Sequence, residues 1–203
     1  MKFICIGLNY QQHIGELNMQ RPDEPVVFMK PESALLRNNN PFFIPEWAEQ
    51  FDYETEILVR IDRLGRGIQP QFAHRYYSEI GLGIDFTARD LQYKLMKAGQ
   101  SWEKAKAFDG SAAVSQFIPK NLFQSVQNID FHLDVNGERR QTGNTRDMLF
   151  TIDEIIAHVS KYFMLKQGDV IFTGTPSGVG PVKINDRLQG YIGDRLMLDF
   201  EVK

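Results

Sequence analysis

The chain has 203 residues, 42% hydrophobic and 24% charged, with 23 basic against 26 acidic side chains and a formal net charge of −3. That length buries a core without disulfides or structural zinc, and the lack of any apolar run of about 18 residues argues against a membrane partner. Basic residues cluster no further than pairs such as Arg139-Arg140, so nucleic acid is not expected as a partner either.

Met1-Lys2-Phe3-Ile4-Cys5-Ile6-Gly7 reads as a first buried strand, its apolar part too short for a signal peptide. Cys5 is the only cysteine. It permits no intrachain disulfide, fits a reducing cytoplasm, and is expected to pack in the core rather than react. His13 and Glu16 follow in Asn9-Tyr10-Gln11-Gln12-His13-Ile14-Gly15-Glu16-Leu17 and share a face if that segment is helical, although Gly15 weakens the helix. A second strand is expected over Pro25-Val26-Val27-Phe28-Met29, then a loop rich in Asn38, Asn39, Asn40, Pro41 and Pro45.

The stretch from Asp52 to Ile61 alternates as one strand, with Glu54 and Glu56 projecting from the same face. A helix is expected around Phe72 to Ile80. A short strand, Gly81-Leu82-Gly83-Ile84-Asp85-Phe86, then meets a helix start capped by Thr87 and Asp90. Asn136-Gly137 after Phe131-His132-Leu133-Asp134-Val135 predicts a hairpin with a type I′ turn. Thr151 and Glu154 form a capping box ahead of the helical stripe Ile152, Ile155, Ile156, Val159 and Phe163. Gly168-Asp169 and Gly193-Asp194 open two further strands. Strands outnumber helices without regular alternation, and no repeat or linker marks a boundary, so one α+β, β-dominated domain over residues 1–203 is expected.

Carboxylates two apart on a strand can grip a hard cation, yet a solvated strand face is the commoner origin of such a pair as Glu54 and Glu56. Asp85 ends an apolar run where an unpaired carboxylate is costly to bury, but acids also favour helix starts. With no cysteine nearby, the three together select Mg²⁺ or Mn²⁺ over zinc. A carboxylate beside an imidazole orients it as a general base, although most surface pairs like His13–Glu16 have no role. Lys106, among small and aromatic neighbours, and Lys30, ending a strand, suit an anionic ligand, with solvent exposure the default for either. Thr173-Gly174-Thr175-Pro176-Ser177-Gly178-Val179-Gly180 follows a strand and can offer backbone N–H groups and the Thr175 hydroxyl to a small carboxylate. It lacks the Walker and Rossmann spacings of nucleotide loops, and serine hydrolase and zinc protease motifs are missing from the chain.

From about Ile6 to Val202 the chain resembles the fumarylacetoacetate hydrolase family in its short, single-domain form. The resemblance rests on Gly7-Leu8-Asn9-Tyr10 with His13 and Glu16, Phe28-Met29-Lys30-Pro31, Tyr53-Glu54-Thr55-Glu56 and Asp85-Phe86-Thr87-Ala88-Arg89-Asp90, then Trp102 to Asp109 and the loop Gly174 to Gly180. It implies a mixed β-roll, a homodimer, and Mg²⁺ or Mn²⁺ held by Glu54, Glu56 and Asp85. Lys106, Arg89, Gln92 and Thr175 would meet a small 2-oxo acid substrate, with Lys30 as a further contact. His13 and Glu16 would form a water-activating dyad on a mobile lid of residues about 9–24. The implied reaction is cleavage of the C3–C4 bond of an acylpyruvate through a pyruvate enolate. Its alternatives are decarboxylation or keto–enol tautomerisation of oxaloacetate, isomerisation of 2-hydroxyhepta-2,4-diene-1,7-dioate, and a metal-binding member without catalysis. Asp52 and Tyr53 depart from the paired histidines of many acylpyruvase-like members, and Arg60 interrupts an apolar strand.

Overall fold

A computed structural model describes residues 1–203. Its largest sheet holds β1 (Phe3–Gly7), β2 (Val26–Lys30), β3 (Leu35–Leu36), β5 (Thr55–Ile61), β6 (Tyr77–Asp85), β8 (Ala112–Val114), β9 (Ile118–Pro119) and β12 (Val170–Phe172). A three-stranded ribbon consists of β4 (Phe51–Tyr53), β7 (Thr87–Ala88) and β13 (Gly180–Pro181). The third sheet has four strands, β10 (Asp130–Val135), β11 (Glu138–Asn144), β14 (Arg187–Ile192) and β15 (Arg195–Glu201). The helices are few: α1 (Gln11–Glu16), α2 (Pro70–Ala73), α3 (Arg89–Lys97), α4 (Glu103–Lys106) and α5 (Ile152–Tyr162). The expected β-dominated mixed architecture is what forms.

The large sheet runs β2-β1-β12-β5-β6-β8-β3, with β9 on the side of β6. Only β1–β12 and β3–β8 pair in parallel. At its centre β5 is covered on both faces, Ile57 and Val59 in the main core and Leu58 in a second cluster with Phe3, Cys5 and Phe172. Cys5 is thus core, as its strand context indicates. The four-stranded sheet turns Phe131, Leu133, Leu188 and Phe200 into the main core beside Leu82 and Ile84 of β6.

Local signals with their own geometry form as expected. Asn136 and Gly137 take φ values of 55° and 79°, joining β10 to β11. Thr151 and Glu154 make both hydrogen bonds of the capping box, and Ile152, Ile155, Ile156 and Val159 are buried. No helix is long and apolar enough to cross a membrane.

Three local readings are overturned by long-range pairing. The helix expected to Ile80 ends at Ala73, and Tyr77 to Ile80 belong to β6. There Arg60 of β5 faces Glu79 across the ladder, its Nε 2.7 Å from Glu79 Oε2, and its guanidinium covers Phe117 at 4.8 Å. The same contacts accommodate a charged residue in a strand otherwise apolar. The Thr87–Asp90 cap does not form either: Thr87 donates to Asp85 O at 3.3 Å, Asp90 Oδ2 accepts from Glu49 N at 3.1 Å, and Ala88 is the uncapped N-cap of α3. Finally, the Asp52–Ile61 strand breaks at Glu54, where the chain leaves the ribbon and enters the large sheet.

Gly83, opposite Glu56 in the β5–β6 register, shows how closely β6 is packed. A Cβ there would lie 2.8 Å from Ala113 O, Leu58 Cδ1 and Phe172 Cε1. Gly83→Ala should therefore lower stability by about 1–3 kcal/mol, seen as a reduced urea midpoint at unchanged slope. An unchanged midpoint would contradict this packing.

Candidate active site

The antiparallel pairing of β5 with β6 places the three acidic side chains together. Asp85 N donates to Glu54 O at 2.8 Å, and Thr55 pairs with Ile84, so the corner before β5 faces the end of β6. One oxygen from each of Glu54, Glu56 and Asp85 then lies within 4.8 Å of the other two. All three side chains are buried, which excludes the solvated strand face and makes their charges costly unless compensated.

Compensation comes from two lysines and an arginine, all buried. Lys106, the last residue of α4, donates to Glu54 Oε2 at 2.6 Å and Asp85 Oδ2 at 2.9 Å. Arg89, the first residue of α3, reaches Glu54 Oε1 at 2.5 Å, Gln92 Oε1 at 2.7 Å and Asp52 Oδ2 at 2.7 Å. Lys30 sits behind the cluster, its Nζ 2.7 Å from Asp85 Oδ1 and donating to Ser111 Oγ at 3.0 Å and to the Lys106 carbonyl. The exposure expected by default for the lysines is thereby excluded. Lys30 is not among the residues lining the cavity, so its ammonium supports Asp85 from the protein side.

The carboxylates are unequal. Burial pushes the Glu54 carboxyl up, but Lys106, Arg89 and His13 outweigh it and hold it well below the usual range. Glu56 has no such partner. Burial raises it, the neighbouring charges of Asp85 and Glu54 raise it further, and a 2.6 Å hydrogen bond from Gly174 N offsets only part. Burial lowers Lys106, but Asp85 and Glu54 bring it above its ordinary value. Asp85 Oδ1 is buried with no hydrogen-bond partner, its contact to Lys30 lying off the hydrogen-bonding direction. An all-oxygen triad of carboxylates suits a hard divalent cation.

His13 and Glu16 do lie on one helix, α1, and His13 Nδ1 is 3.0 Å from Glu16 Oε2. His13 is buried, unlike an idle surface pair. A carboxylate only accepts, so Nδ1 carries the proton and Nε2 is left with a free lone pair. Glu16 Oε1 also accepts from Gly178 N at 3.1 Å, and Ser177 Oγ is 3.3 Å from Gln12 Oε1, docking α1 on the Gly-rich loop. The loop's amides thus serve the protein's own carboxylates, at Glu56 and at Glu16.

Two supports carry no local sequence signal for their role. Gln141, on β11, donates to Thr175 Oγ1 at 2.9 Å and Pro176 O at 3.1 Å while accepting from Thr55 N at 2.9 Å. Thr175 in turn donates to Thr55 O at 3.0 Å, so its hydroxyl proton is committed inside the protein. Asn9 binds Phe150 and Thr173 through its side chain and fixes the entry to α1.

His13, Arg89, Gln92, Lys106 and Thr175 converge with the triad on one cavity of about 40 Å³. Phe28, Leu17, Met19, Met96 and Trp102 supply its apolar walls. That volume holds an ion with a water or two, less than a four-carbon acid needs. A larger hollow of about 890 Å³, around Phe117 and Met197, contains none of these polar groups.

Comparison with known proteins agrees with this frame. Residues 2–201 match the fumarylacetoacetate (FAA) hydrolase C-terminal family model. The chain is 45% identical over 188 residues to the oxaloacetate tautomerase YcgM of Escherichia coli K12, covering 92% of this chain and 86% of that protein. A fumarylacetoacetate hydrolase family protein from Yersinia pestis superposes with a TM-score of 0.96 at 40% identity, over 100% of this chain and 93% of the other. A fumarylpyruvate hydrolase from Pseudomonas aeruginosa, solved with Mn²⁺ and pyruvate, gives 0.93 at 30% identity, over 100% and 89%. The chain belongs to the fumarylacetoacetate hydrolase family, whose members are enzymes.

The raised Glu56 carboxyl has a measurable consequence. Its proton stabilises the metal-free fold below the unfolded pKa, and that contribution is lost as pH rises through the higher folded value. Divalent ions must displace this proton, so affinity for Mn²⁺ should rise with pH. Calorimetry in buffers of different ionisation enthalpy should show net proton release on binding. Glu56→Gln should abolish the release, and a wild-type protein that binds Mn²⁺ without it would contradict the assignment.

Proposed function

We propose that the protein interconverts the enol and keto forms of oxaloacetate, with Mg²⁺ or Mn²⁺ held by Glu54, Glu56 and Asp85. The observation that carries this reading is the pair of cations on one carboxylate, Lys106 on Glu54 Oε2 and Arg89 on Glu54 Oε1. Lys106 beside the C2 oxygen and Arg89 that close to it, ready for a tail carboxylate, suit a short dicarboxylic 2-oxo acid. The tautomerase named among the relatives supports the same choice over the hydrolytic reading that the dyad first suggests.

Keto–enol exchange moves a proton between C3 and the oxygen on C2. A divalent ion in the triad would supply Lewis-acid stabilisation to charge on that oxygen. Lys106, held between Glu54 and Asp85, adds a second positive group beside it. His13 Nε2 accepts the proton and returns it, while Glu16 keeps the imidazole in the needed tautomer. Arg89 receives the distal carboxylate, and Gln92 holds its NH1 end. The apolar walls keep bulk water from the enolate.

Entry requires an opening, and the segment of residues about 9–24 is the natural lid. It carries Leu17 and Met19 over the cavity, and its α1 is docked on the loop through Glu16 and Gln12. At its base Leu8 adopts a φ of 58°, a left-handed conformation unusual for a side chain of this kind.

Hydrolysis of an acylpyruvate is the second reading, favoured by the His13–Glu16 dyad, which would activate water as readily as it moves a C3 proton. The two are separated by following enol absorbance and pyruvate release with oxaloacetate and acetylpyruvate. Enol loss should accelerate with oxaloacetate plus Mg²⁺, with little pyruvate from either acid. His13→Ala should lower kcat for exchange by about 10²–10⁴ while Mn²⁺ binding persists. Efficient cleavage of acetylpyruvate without oxaloacetate exchange would replace the first reading by the second.

A further inference from the structure

Asp52 lies outside the cavity lining, yet it is a buried carboxylate only 3% exposed. It occupies the middle strand of the ribbon, β4, opposite Pro181 on one side and Thr87 on the other. Its Oδ1 accepts from Gln50 Nε2 at 2.8 Å, which fixes the carboxylate, and its Oδ2 accepts from Arg89 Nε at 2.7 Å. The ribbon thereby grips Arg89 through its Nε.

An arginine has five N–H donors in a rigid fork, and beside a free carboxylate it pairs through two of them at once. Here Glu54 receives only NH2, because Asp52 holds Nε and Gln92 holds NH1. Three donors are engaged and two remain, one on each terminal nitrogen, and Arg89 is one of the residues lining the cavity. Without Asp52, Nε is released and Arg89 is free to close side-on over Glu54, taking its remaining donors away from a ligand.

We propose that Asp52 is a positioning residue that sets substrate selectivity: by clamping Arg89 through Nε it keeps the terminal nitrogens presented to the distal carboxylate of a short dicarboxylic 2-oxo acid. The role is indirect, since Asp52 touches Arg89 and not the ligand. It rests on the proposed function for the identity of the ligand, but the clamp itself is a property of affinity for a second carboxylate, whether or not turnover follows.

The test compares oxaloacetate with its 4-methyl ester, the same skeleton with an uncharged tail, by calorimetry on the Mg²⁺-loaded protein and by enol–keto exchange kinetics. Wild-type protein should prefer the diacid. Asp52→Ala should weaken oxaloacetate binding and raise its KM about tenfold, with kcat and ester affinity within about threefold of wild type. Asp52→Asn, which keeps an acceptor for Nε, should recover most of the preference and guards against a loss due only to misfolding. In an Arg89→Ala background, Asp52→Ala should leave the diacid-to-ester ratio unchanged, as expected of a residue acting through Arg89. Equal weakening for both acids, or an additive effect in that background, would overturn the proposal, as would equal binding of both acids by wild type. Preferential binding of oxaloacetate with no exchange would instead sink the tautomerase reading and leave the clamp standing.

Discussion

Charges buried at one place have to be matched, and the structure around the cavity is organised by that requirement. Asp52, Glu54, Glu56 and Asp85 stand against Lys30, Arg89 and Lys106, all buried, four acidic groups to three basic. The excess falls on Glu56, the one carboxylate of the triad without a lysine or arginine contact, and its raised pKa records the imbalance. A dication added to the triad would turn that deficit into one net positive charge, a balance suited to an anionic ligand, whereas removing any cation would leave a buried charge alone, typically a loss of about 3–5 kcal/mol. The charged groups therefore need rigid carriers. They sit at the ribbon strand β4, the corner before β5, β5 itself, the ends of β2 and β6, the start of α3 and the end of α4.

How much of this was legible in the sequence follows from which forces are local. Asn136-Gly137 and the Thr151–Glu154 box carry their geometry in a few adjacent residues, and both form as read. The spacing of Glu54 and Glu56 on a strand likewise placed both on one side. Tyr77 to Ile80 looked helical because nothing nearby announces a partner, and it became strand because β5 and β9 pair with it. Lys30 and Lys106 looked exposed for the same reason: the carboxylates that justify burying them are 55 and 21 positions away in the case of Asp85. Gln141 is the clearest instance of an unreadable residue, since its side-chain partners Thr55, Thr175 and Pro176 arrive from two other parts of the chain.

Those long-range supports also join the sheets mechanically. Gln141 belongs to the four-stranded sheet, yet it sets Thr175 in the loop and the backbone of Thr55 beside the triad. Asn9 ties the base of α1 to Thr173 in the same loop. Gly174 and Gly178, both in that loop, donate to Glu56 and Glu16. The loop is thus a junction between the triad and the dyad, so movement of α1 away from it breaks the Glu16 contact while leaving Glu56 bound to Gly174.

This asymmetry bears on how one frame can serve several reactions. Stabilising an enolate needs only groups that stay fixed, and Glu54, Glu56, Asp85 and Lys106 are tied to the Gly-rich loop or to one another by hydrogen bonds of 2.6–2.9 Å. On the proposed reading, what happens to the enolate would depend on His13, which is carried by α1, and on what the tail of the substrate meets, which would be Arg89. His13 can give a proton to carbon or take one from water with the same Nε2, so its presence does not choose between exchange and hydrolysis. The choice then passes to tail recognition and to whether water can stand between the base and a distal carbonyl. On the proposed reading, a tail carboxylate would pair with Arg89, whereas an apolar acyl tail would find Met96 and Trp102 among the cavity walls. On this physical ground, the group that holds Arg89 in place would act on which substrate is taken, and the residues that touch the enolate on how fast it reacts.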